Sequence, residues 1–183
     1  FPGKLAIVPF KKAEESETGA DWAWLFRDTT GTKNLPMLVQ AKVLDFTDYQ
    51  YPKIKYVIDK TPPVRQIDQL INTANGLGWP AVYAFYNHLS DISRLPTACT
   101  SLAMIGAAVS AAESWGVSIA DANIVRSRLN NQTFDTHSKH SRPLQCILCS
   151  SGSGERPVGG SPELALAALR SLRVRGERAE GAH

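Results

Sequence analysis

The chain has 183 residues, which is enough for one domain with a hydrophobic core and too few for two of ordinary size. Hydrophobic residues make up 43% of the sequence and charged residues 20%, as is typical of a soluble globular protein, and no apolar run is long enough to span a membrane. The formal net charge of +3 permits contact with a polyanion but is too small to identify a nucleic-acid-binding protein by itself.

The three cysteines do not suggest the paired disulfide framework of a small secreted domain. The sequence also does not open with a signal peptide. We therefore expect a cytoplasmic protein that makes no contact with a membrane. A homodimer remains an open alternative.

Two segments in the first third of the chain alternate between apolar and polar residues with the period of a half-buried strand. In the first segment Trp22, Trp24 and Phe26 share one face, and the second segment runs from Met37 to Leu44. Residues 28–34 between them are rich in Gly, Asn and Thr, which favour a turn. The simplest prediction is a β-hairpin.

The next third of the chain predicts a helix followed by a strand. Residues 64–74 carry an apolar stripe at helical spacing, which ends near two glycines at 76 and 78. Residues 81–86 have the length and aromatic content of a buried strand. The order strand, strand, helix, strand indicates a mixed α/β fold. The stripe consists of Ile67, Leu70, Ile71, Ala74 and Leu77.

The last third is less regular. Residues 97–130 predict two helical pieces separated at 115–118, with Ser118 as the N-cap of the second. Residues 144–149 predict a final short strand. From residue 151 the composition shifts to Gly, Ser, Arg and Glu, which bury little surface. We expect one domain over residues 1–150 and a flexible tail over 151–183.

Polar groups suited to phosphodiester chemistry gather at the predicted hairpin. Gln40 and Lys42 project from one face of the second strand, because side chains two residues apart point the same way. Asp21 lies beside them if the hairpin pairs in register. Carboxylate and amide oxygens suit Mg²⁺, and a lysine can stabilise charge that develops on phosphorus. Further carboxylates lie upstream, at Glu14, Glu15 and Glu17.

The order of these motifs resembles the PD-(D/E)XK superfamily of restriction-endonuclease-like nucleases, in the variant with Gln at the strand acid. The motifs are ETGAD, which ends at Asp21, and QAK, which runs from Gln40 to Lys42. The wider run from Glu15 to Asn87 is most similar to an uncharacterised bacterial family placed in that superfamily, which carries TGADW and QAK motifs.

The resemblance implies a role for each residue. Asp21 corresponds to the central metal ligand, Gln40 occupies the position usually held by Glu or Asp, and Lys42 corresponds to the catalytic lysine. Either Glu15 or Glu17 corresponds to the acid that such nucleases take from their first helix, although no full helix is evident before Glu15.

The resemblance also implies a fold and an activity. It implies a restriction-endonuclease-like mixed central β-sheet flanked by helices, with Gln66 as a polar residue that supports the site. The expected activity is hydrolysis of phosphodiester bonds with Mg²⁺ or Mn²⁺, on DNA more than on RNA. The alternative is a catalytically inactive nuclease-fold module that binds nucleic acid or a partner protein.

Other candidate sites are weaker. His137 and His140 precede Cys146 and Cys149, but the connection between the pairs is shorter than the roughly 12 residues usual in zinc fingers, so a polar loop with two core cysteines is favoured. Aromatic residues that alternate along predicted strands are expected in the core rather than in base stacking. Basic residues near the hairpin are expected to form a solvated surface, with phosphate contact as the alternative; they are Lys53, Lys55, Lys60 and Arg65.

Overall fold

The fold is mixed α/β, with a six-stranded mixed sheet at its centre and helices flanking it. The computed structural model describes residues 4–27, 34–58, 61–89, 92–94 and 115–144. None of the helices in these ranges is long and apolar enough to cross a membrane.

The strands and helices follow in a mixed order along the chain. The strands are β1 (Lys4–Pro9), β2 (Trp22–Arg27), β3 (Asn34–Val43), β4 (Val57–Ile58), β5 (Val64–Arg65), β6 (Ala81–Tyr86), β7 (Val117–Asp121) and β8 (Arg142–Pro143). The helices are α1 (Lys12–Thr18), α2 (Gln66–Leu77), α3 (Ala122–Ser127) and α4 (Phe134–Ser138), and a single 3-10 turn spans Ile92–Arg94.

The large sheet has the strand order β1-β2-β3-β6-β7-β8, and β4 and β5 form a separate two-stranded sheet. β3 and β6 are parallel, whereas the other neighbours in the large sheet are antiparallel. A parallel pair needs a long crossover connection, and α2 lies in the segment that provides it.

The predicted hairpin is confirmed as β2 and β3. The two strands pair antiparallel, with Trp22 opposite Val39 and Arg27 opposite Asn34. This register continues outward to set Asp21 beside Gln40. Residues 28–33 of the predicted turn lie outside the described residues.

The predicted amphipathic helix is confirmed as α2, with one correction at its end. Its buried apolar residues are Ile67, Leu70, Ile71 and Ala74. Leu77, which the helical spacing assigned to the same stripe, is 50% exposed because the helix ends there, at Gly78 with φ 68°. The predicted strand at residues 81–86 is confirmed as β6.

The sheet buries side chains on both of its faces. One core, packed against α2, includes Leu38, Tyr83 and Phe85. The other core, on the opposite face, includes Trp24 and Met37. A strand between two cores is expected to be apolar on both sides. Buried polar side chains on the inner strands, such as Gln40 and Lys42, are therefore unusual and are candidates for a functional site.

The prediction for residues 115–130 is wrong in part. Ser118 is not a helix N-cap: it is buried in β7, opposite Phe85 of β6. The helix begins later, at Ala122, where the Oδ1 atom of Asp121 accepts a hydrogen bond of 2.8 Å from the backbone of Asn123. Pairing with β6 stabilises residues 117–121 as a strand, although Ser118 on its own favours the start of a helix. The outcome is therefore set by tertiary contacts and not by local sequence.

Several predictions fall on residues that the structure does not describe. They include the helical piece in residues 97–114, the strand at residues 145–149 and the tail at 151–183. The last described strand, β8, lies just before the predicted one.

The two elements that precede Asp21 were not predicted from the sequence. β1 lies beside β2 at one edge of the large sheet. The short helix α1, which has no buried residue, carries Glu14, Glu15 and Glu17. No full helix was evident before Glu15 in the sequence, and the structure has a short helix of seven residues that contains Glu15 and lacks the apolar stripe by which a helix is recognised.

Candidate functional site

Asp21 sits directly before β2, with its carboxylate turned toward β3. Its backbone N–H donates to Val39 O at 2.9 Å. The carboxylate oxygen Oδ2 accepts hydrogen bonds from Gln40 Nε2 at 2.6 Å and from the backbone N–H of Ala41 at 2.7 Å. The structure thus brings Asp21 and Gln40 together, as the in-register hairpin predicts.

Gly19 explains how the chain reaches Asp21 from α1. It ends the helix with φ 74°, a left-handed conformation that favours glycine. A Cβ atom at this position would lie 2.5 Å from the backbone nitrogen of Leu70 and 2.6 Å from the carbonyl oxygen of Gln66. The glycine therefore permits close contact between the end of α1 and the first turns of α2.

Gln40 is buried, at 2% exposure, and has an unpaired oxygen. Its Nε2 atom donates to Asp21 and also lies 3.2 Å from the carbonyl oxygen of Ala41. Its Oε1 atom has no hydrogen-bond partner within the described ranges. An unsatisfied buried acceptor costs about 1–3 kcal/mol, so this oxygen is a good position for a ligand that donates or carries positive charge.

Lys42 is a buried ammonium, at 8% exposure, on the same strand face as Gln40. Its Nζ donates to Gln66 Oε1 at 2.9 Å, and it forms no ion pair with a carboxylate in the part of the chain that the structure describes. Burial lowers the pKa of Lys42 from 10.5 to about 8, while the charge of Asp21 raises it and that of Lys53 lowers it further. Lys42 is therefore a buried cation without a direct ion pair among the described residues, and the nearby charge of Asp21 favours its protonated form.

Gln66 is the first residue of α2 and is buried. Its backbone N–H donates to Tyr56 O at 2.9 Å, and its side-chain oxygen accepts from Lys42. The start of the helix thus fixes the amide that orients the ammonium. The structure brings Gln66 to Lys42 as a support.

The upstream glutamates do not complete an acidic cluster. The Glu14 carboxylate accepts from the backbone N–H of Lys11 at 2.6 Å and caps α1. Glu15 is half-buried and Glu17 is exposed. Among the described residues, no group of three or more His, Cys, Asp or Glu side chains is placed to hold a metal ion. The resemblance implies only one glutamate, Glu15 or Glu17, beside Asp21, and that assignment stays a prediction.

Tyr83 is a polar group that the sequence interpretation assigned only to the core. It lies opposite Gln40 in the β3–β6 register, and its buried hydroxyl has no hydrogen-bond partner among the described residues. Burial raises the pKa of this hydroxyl, and the negative charges of Asp21 and Asp68 raise it further. The alternation of the strand gives the face on which Tyr83 lies, but no local signal gives the register of a parallel pair.

A cleft of about 420 Å³ opens at the end of β3. Its lining includes Lys42, Asp45 and Lys53. Lys53 is exposed, whereas Lys42 lies deeper. The cleft thus has two lysines in its lining, one buried and one exposed.

The chain matches the sequence model of a family over residues 1–182, and that family is described as "Family of unknown function (DUF6615)". The chain belongs to this family. No curated protein matches it. The DUF6615 description assigns no activity, so a function has to be argued from the side chains of the site.

The second candidate site in this DUF6615 chain, the His and Cys group for which zinc was disfavoured, is only partly described. Its two histidines do not lie in a polar loop, because both are buried, and that expectation is wrong. His137 Nδ1 lies 3.3 Å from His140 Nε2, and His137 Nε2 lies 2.9 Å from Asn131 O. Cys146 and Cys149 lie outside the described residues.

Proposed function

We propose that this DUF6615 protein is a metal-dependent nuclease of the PD-(D/E)XK type that hydrolyses phosphodiester bonds. The observation that carries the proposal is the convergence of Asp21, Gln40 and Lys42 on one face of the sheet, with Gln66 bonded to the lysine. DNA is favoured over RNA as substrate on the strength of the sequence resemblance.

The donor set at the site fits a hard divalent cation. Mg²⁺ is usually held by one or two carboxylates and retains several waters, so a dense cluster of acids is not required. Asp21 supplies one carboxylate, and the unpaired Oε1 of Gln40 supplies a neutral oxygen. These two residues would hold Mg²⁺ or Mn²⁺, which would polarise the phosphodiester and offset its negative charge.

Lys42 is suited to stabilise charge on the phosphate. Its ammonium is largely shielded from water and is oriented by Gln66, so it does not have to reorganise during the reaction. It stays protonated below its pKa of about 8. The cleft at the end of β3 includes Lys42 in its lining and is the position proposed for the phosphodiester.

One observation favours the second candidate, an inactive module that binds nucleic acid. The Asp21 oxygen Oδ2 is already satisfied by two N–H donors, and residue 40 contributes an amide where a second acid is usual. A binding module would use the positive charges of Lys42 and Lys53 without a cation and would not cut.

The two candidates separate in a cleavage assay. Purified protein is incubated with plasmid, linear duplex, single-stranded DNA and RNA, with Mg²⁺, with Mn²⁺ and with chelator. We expect cleavage only with a divalent cation, and a loss on the order of 10²-fold or more in Asp21→Asn and Lys42→Met. Asp135→Asn is the matched control, because Asp135 is an exposed acid that pairs with Arg94 at 3.3 Å.

The outcomes lead to different conclusions. Binding without cutting under every condition would favour the inactive module. Cutting by both site variants at the rate of the parent would remove the catalytic role of this site. Absence of both binding and cutting would exclude both candidates.

A further inference from the structure

An exposed aromatic pair stands beside the cleft, and the fold does not explain it. Phe46 is 60% exposed and directly follows Asp45, which lines the cleft. The ring of exposed His88 meets it edge-on, with centroids 6.2 Å apart and planes at 79°. We call Phe46 and His88 the aromatic step.

The backbone holds Phe46 of the aromatic step in a fixed turn. The N–H of Asp45 donates to Gln50 O at 2.8 Å, which closes the turn, and Asp45 Oδ1 accepts from the N–H of Thr47 at 2.9 Å. Phe46 is therefore presented from a defined position. A ring that is ordered before binding loses less entropy when a ligand stacks on it.

Two further exposed residues lie at the ends of the central strands β3 and β6. Val43 is 69% exposed, and its Cα partner in the register is Tyr86, which is 40% exposed. Val43 also lines the cleft. Because side chains alternate along a strand, Val43 and Tyr86 lie on the sheet face opposite Lys42, so the proposed stacking surface is the aromatic step alone.

The positive charge of the cleft lining favours a ligand that carries negative charge. Lys42 and Lys53 both line it, and they are close enough for the charge of Lys53 to lower the pKa of Lys42. The single acid among the lining residues, Asp45, uses one carboxylate oxygen to hold the turn. Lysines beside exposed rings match a ligand that carries phosphate groups and flat apolar faces.

A nucleic acid carries both, but only an unpaired strand offers its base faces. In a duplex the faces are covered by neighbouring bases, whereas in a single strand they stack on aromatic side chains while basic groups follow the phosphates. We propose that the cleft binds single-stranded nucleic acid, with a phosphate at Lys42 and Lys53 and a base stacked on Phe46. As a statement about a substrate, this inference rests on the proposed function.

Binding is measured without cleavage, so that the inference is tested separately from the nuclease proposal. Fluorescence anisotropy in chelator compares a labelled single strand, the same sequence as duplex, and the same strand with abasic sites. We expect the parent to bind the single strand about tenfold or more tightly than the duplex. Phe46→Ala removes most of that preference, and it leaves binding to the abasic strand unchanged.

Two further variants identify the stacking interaction. Phe46→Leu keeps an apolar side chain but has no ring, so it is expected to behave like Phe46→Ala. Leu77→Ala is the matched control, because Leu77 is an apolar residue of 50% exposure at the far end of α2, and it should bind like the parent. A thermal melt of each variant confirms that it is folded.

The inference is overturned if the parent binds no nucleic acid, if it binds duplex as well as single strand, or if Phe46→Ala weakens the abasic strand equally. In those cases the nuclease proposal is still decided separately, by whether the parent cuts and whether the Asp21 and Lys42 variants lose that activity. A base-dependent preference for single strands in a protein that never cuts would support the inference and exclude the enzyme.

Discussion

At position 40 the chain carries an amide, which can donate a hydrogen bond to Asp21, whereas an ionised carboxylate cannot. Gln40 Nε2 donates a hydrogen bond of 2.6 Å to Asp21, whereas two carboxylates at that distance would repel each other. The glutamine therefore stabilises the site without a cation and provides fewer charges to hold one.

We expect Gln40→Glu to make the site less stable without a cation and better able to hold one. In chelator the paired carboxylates should lower the free energy of unfolding by about 1–3 kcal/mol, since a hydrogen bond is replaced by a like charge. Mg²⁺ should restore more stability to the variant than it adds to the parent, because a ligand that binds only the folded state stabilises it. Thermal melts with chelator and with Mg²⁺ measure both effects.

Gln69→Glu is the matched control, because Gln69 is a half-buried glutamine on α2 whose side chain donates to Glu17 O rather than to the Asp21 carboxylate. It should show no gain from Mg²⁺ beyond that of the parent. Equal responses of the parent and Gln40→Glu to Mg²⁺ would contradict a cation site at Asp21.

Lys42 provides a second test at the scale of one residue. Its folded pKa of about 8 lies below the ordinary 10.5, so between these pH values the unfolded chain binds more protons than the folded one. The contribution of Lys42 to stability therefore rises with pH across this window, and below it the buried charge is a cost. Lys42→Met should be more stable than the parent at pH 7 by about 1–2 kcal/mol, after the lost bond to Gln66 is counted.

Urea unfolding at several pH values from about 7 to 10.5 measures the effect, since the difference between parent and variant isolates the titration of Lys42. We expect the difference to shrink as the pH rises. The control is Lys55→Met, which changes an exposed lysine outside the cleft lining and should shift stability by less than about 0.5 kcal/mol. A difference that stays constant over this range would show that the pKa of Lys42 is not lowered.

At the scale of elements, the packing of α1 on α2 depends on one glycine. Gly19→Ala combines a left-handed φ of 74° with contacts of 2.5 and 2.6 Å to the backbone of α2. We expect a loss of more than about 2 kcal/mol, because backbone atoms cannot move aside as a flexible side chain can.

Two other glycines serve as matched controls. Gly78 has φ 68° and no atom within 4 Å of a built Cβ, so Gly78→Ala should cost only the conformational strain, about 1 kcal/mol. Gly76 is helical and equally open, so Gly76→Ala should stabilise by roughly 0.5–1 kcal/mol. If Gly19→Ala and Gly78→Ala lose the same free energy of unfolding in denaturant, the close contact with α2 does not contribute to the cost at Gly19.

The hairpin and α2 were predictable because their apolar periods are clear and local. β7 was not, since the capping signal of Ser118 competes with a strand that forms only by pairing with β6. The sequences of β1 and α1 have no alternation or apolar stripe by which a strand or a helix could be distinguished from a loop.

The candidate site divides in the same way. The proximity of Asp21, Gln40 and Lys42 follows from a hairpin register and a shared strand face. The bond from Lys42 to Gln66 and the position of Tyr83 depend on the crossover through α2 and on a parallel register, which no local pattern encodes.

At the scale of the whole molecule, a buried histidine pair is built into the core beside β6. The ring of His137 packs against Tyr51 and Phe85, with centroids 5.9 and 5.4 Å away, and its Nδ1 faces His140. Burial lowers the pKa of His137 and of His140 below the ordinary 6.5, and the positive charge of Arg128 lowers both further. The folded protein therefore holds this pair neutral.

The sign of the resulting pH dependence is fixed by linkage. Because the folded pKa values are depressed, the unfolded chain binds more protons below about pH 6.5, and stability is lost as the pH falls through this range. Each histidine contributes a slope of up to about 1.4 kcal/mol per pH unit. We expect the parent to lose several kcal/mol between about pH 7 and 5 in urea unfolding, together with any activity of the adjoining site.

The variant His140→Gln keeps a polar side chain beside His137 but removes one titrating group, so its stability should fall less steeply with acid. His88→Gln, which changes an exposed histidine, should follow the parent. Parallel curves for the parent and His140→Gln would mean that other groups cause the acid sensitivity. A shallower curve for His140→Gln alone would establish that the folded core disfavours protonation of His140, and that acid destabilises the fold in part through this residue.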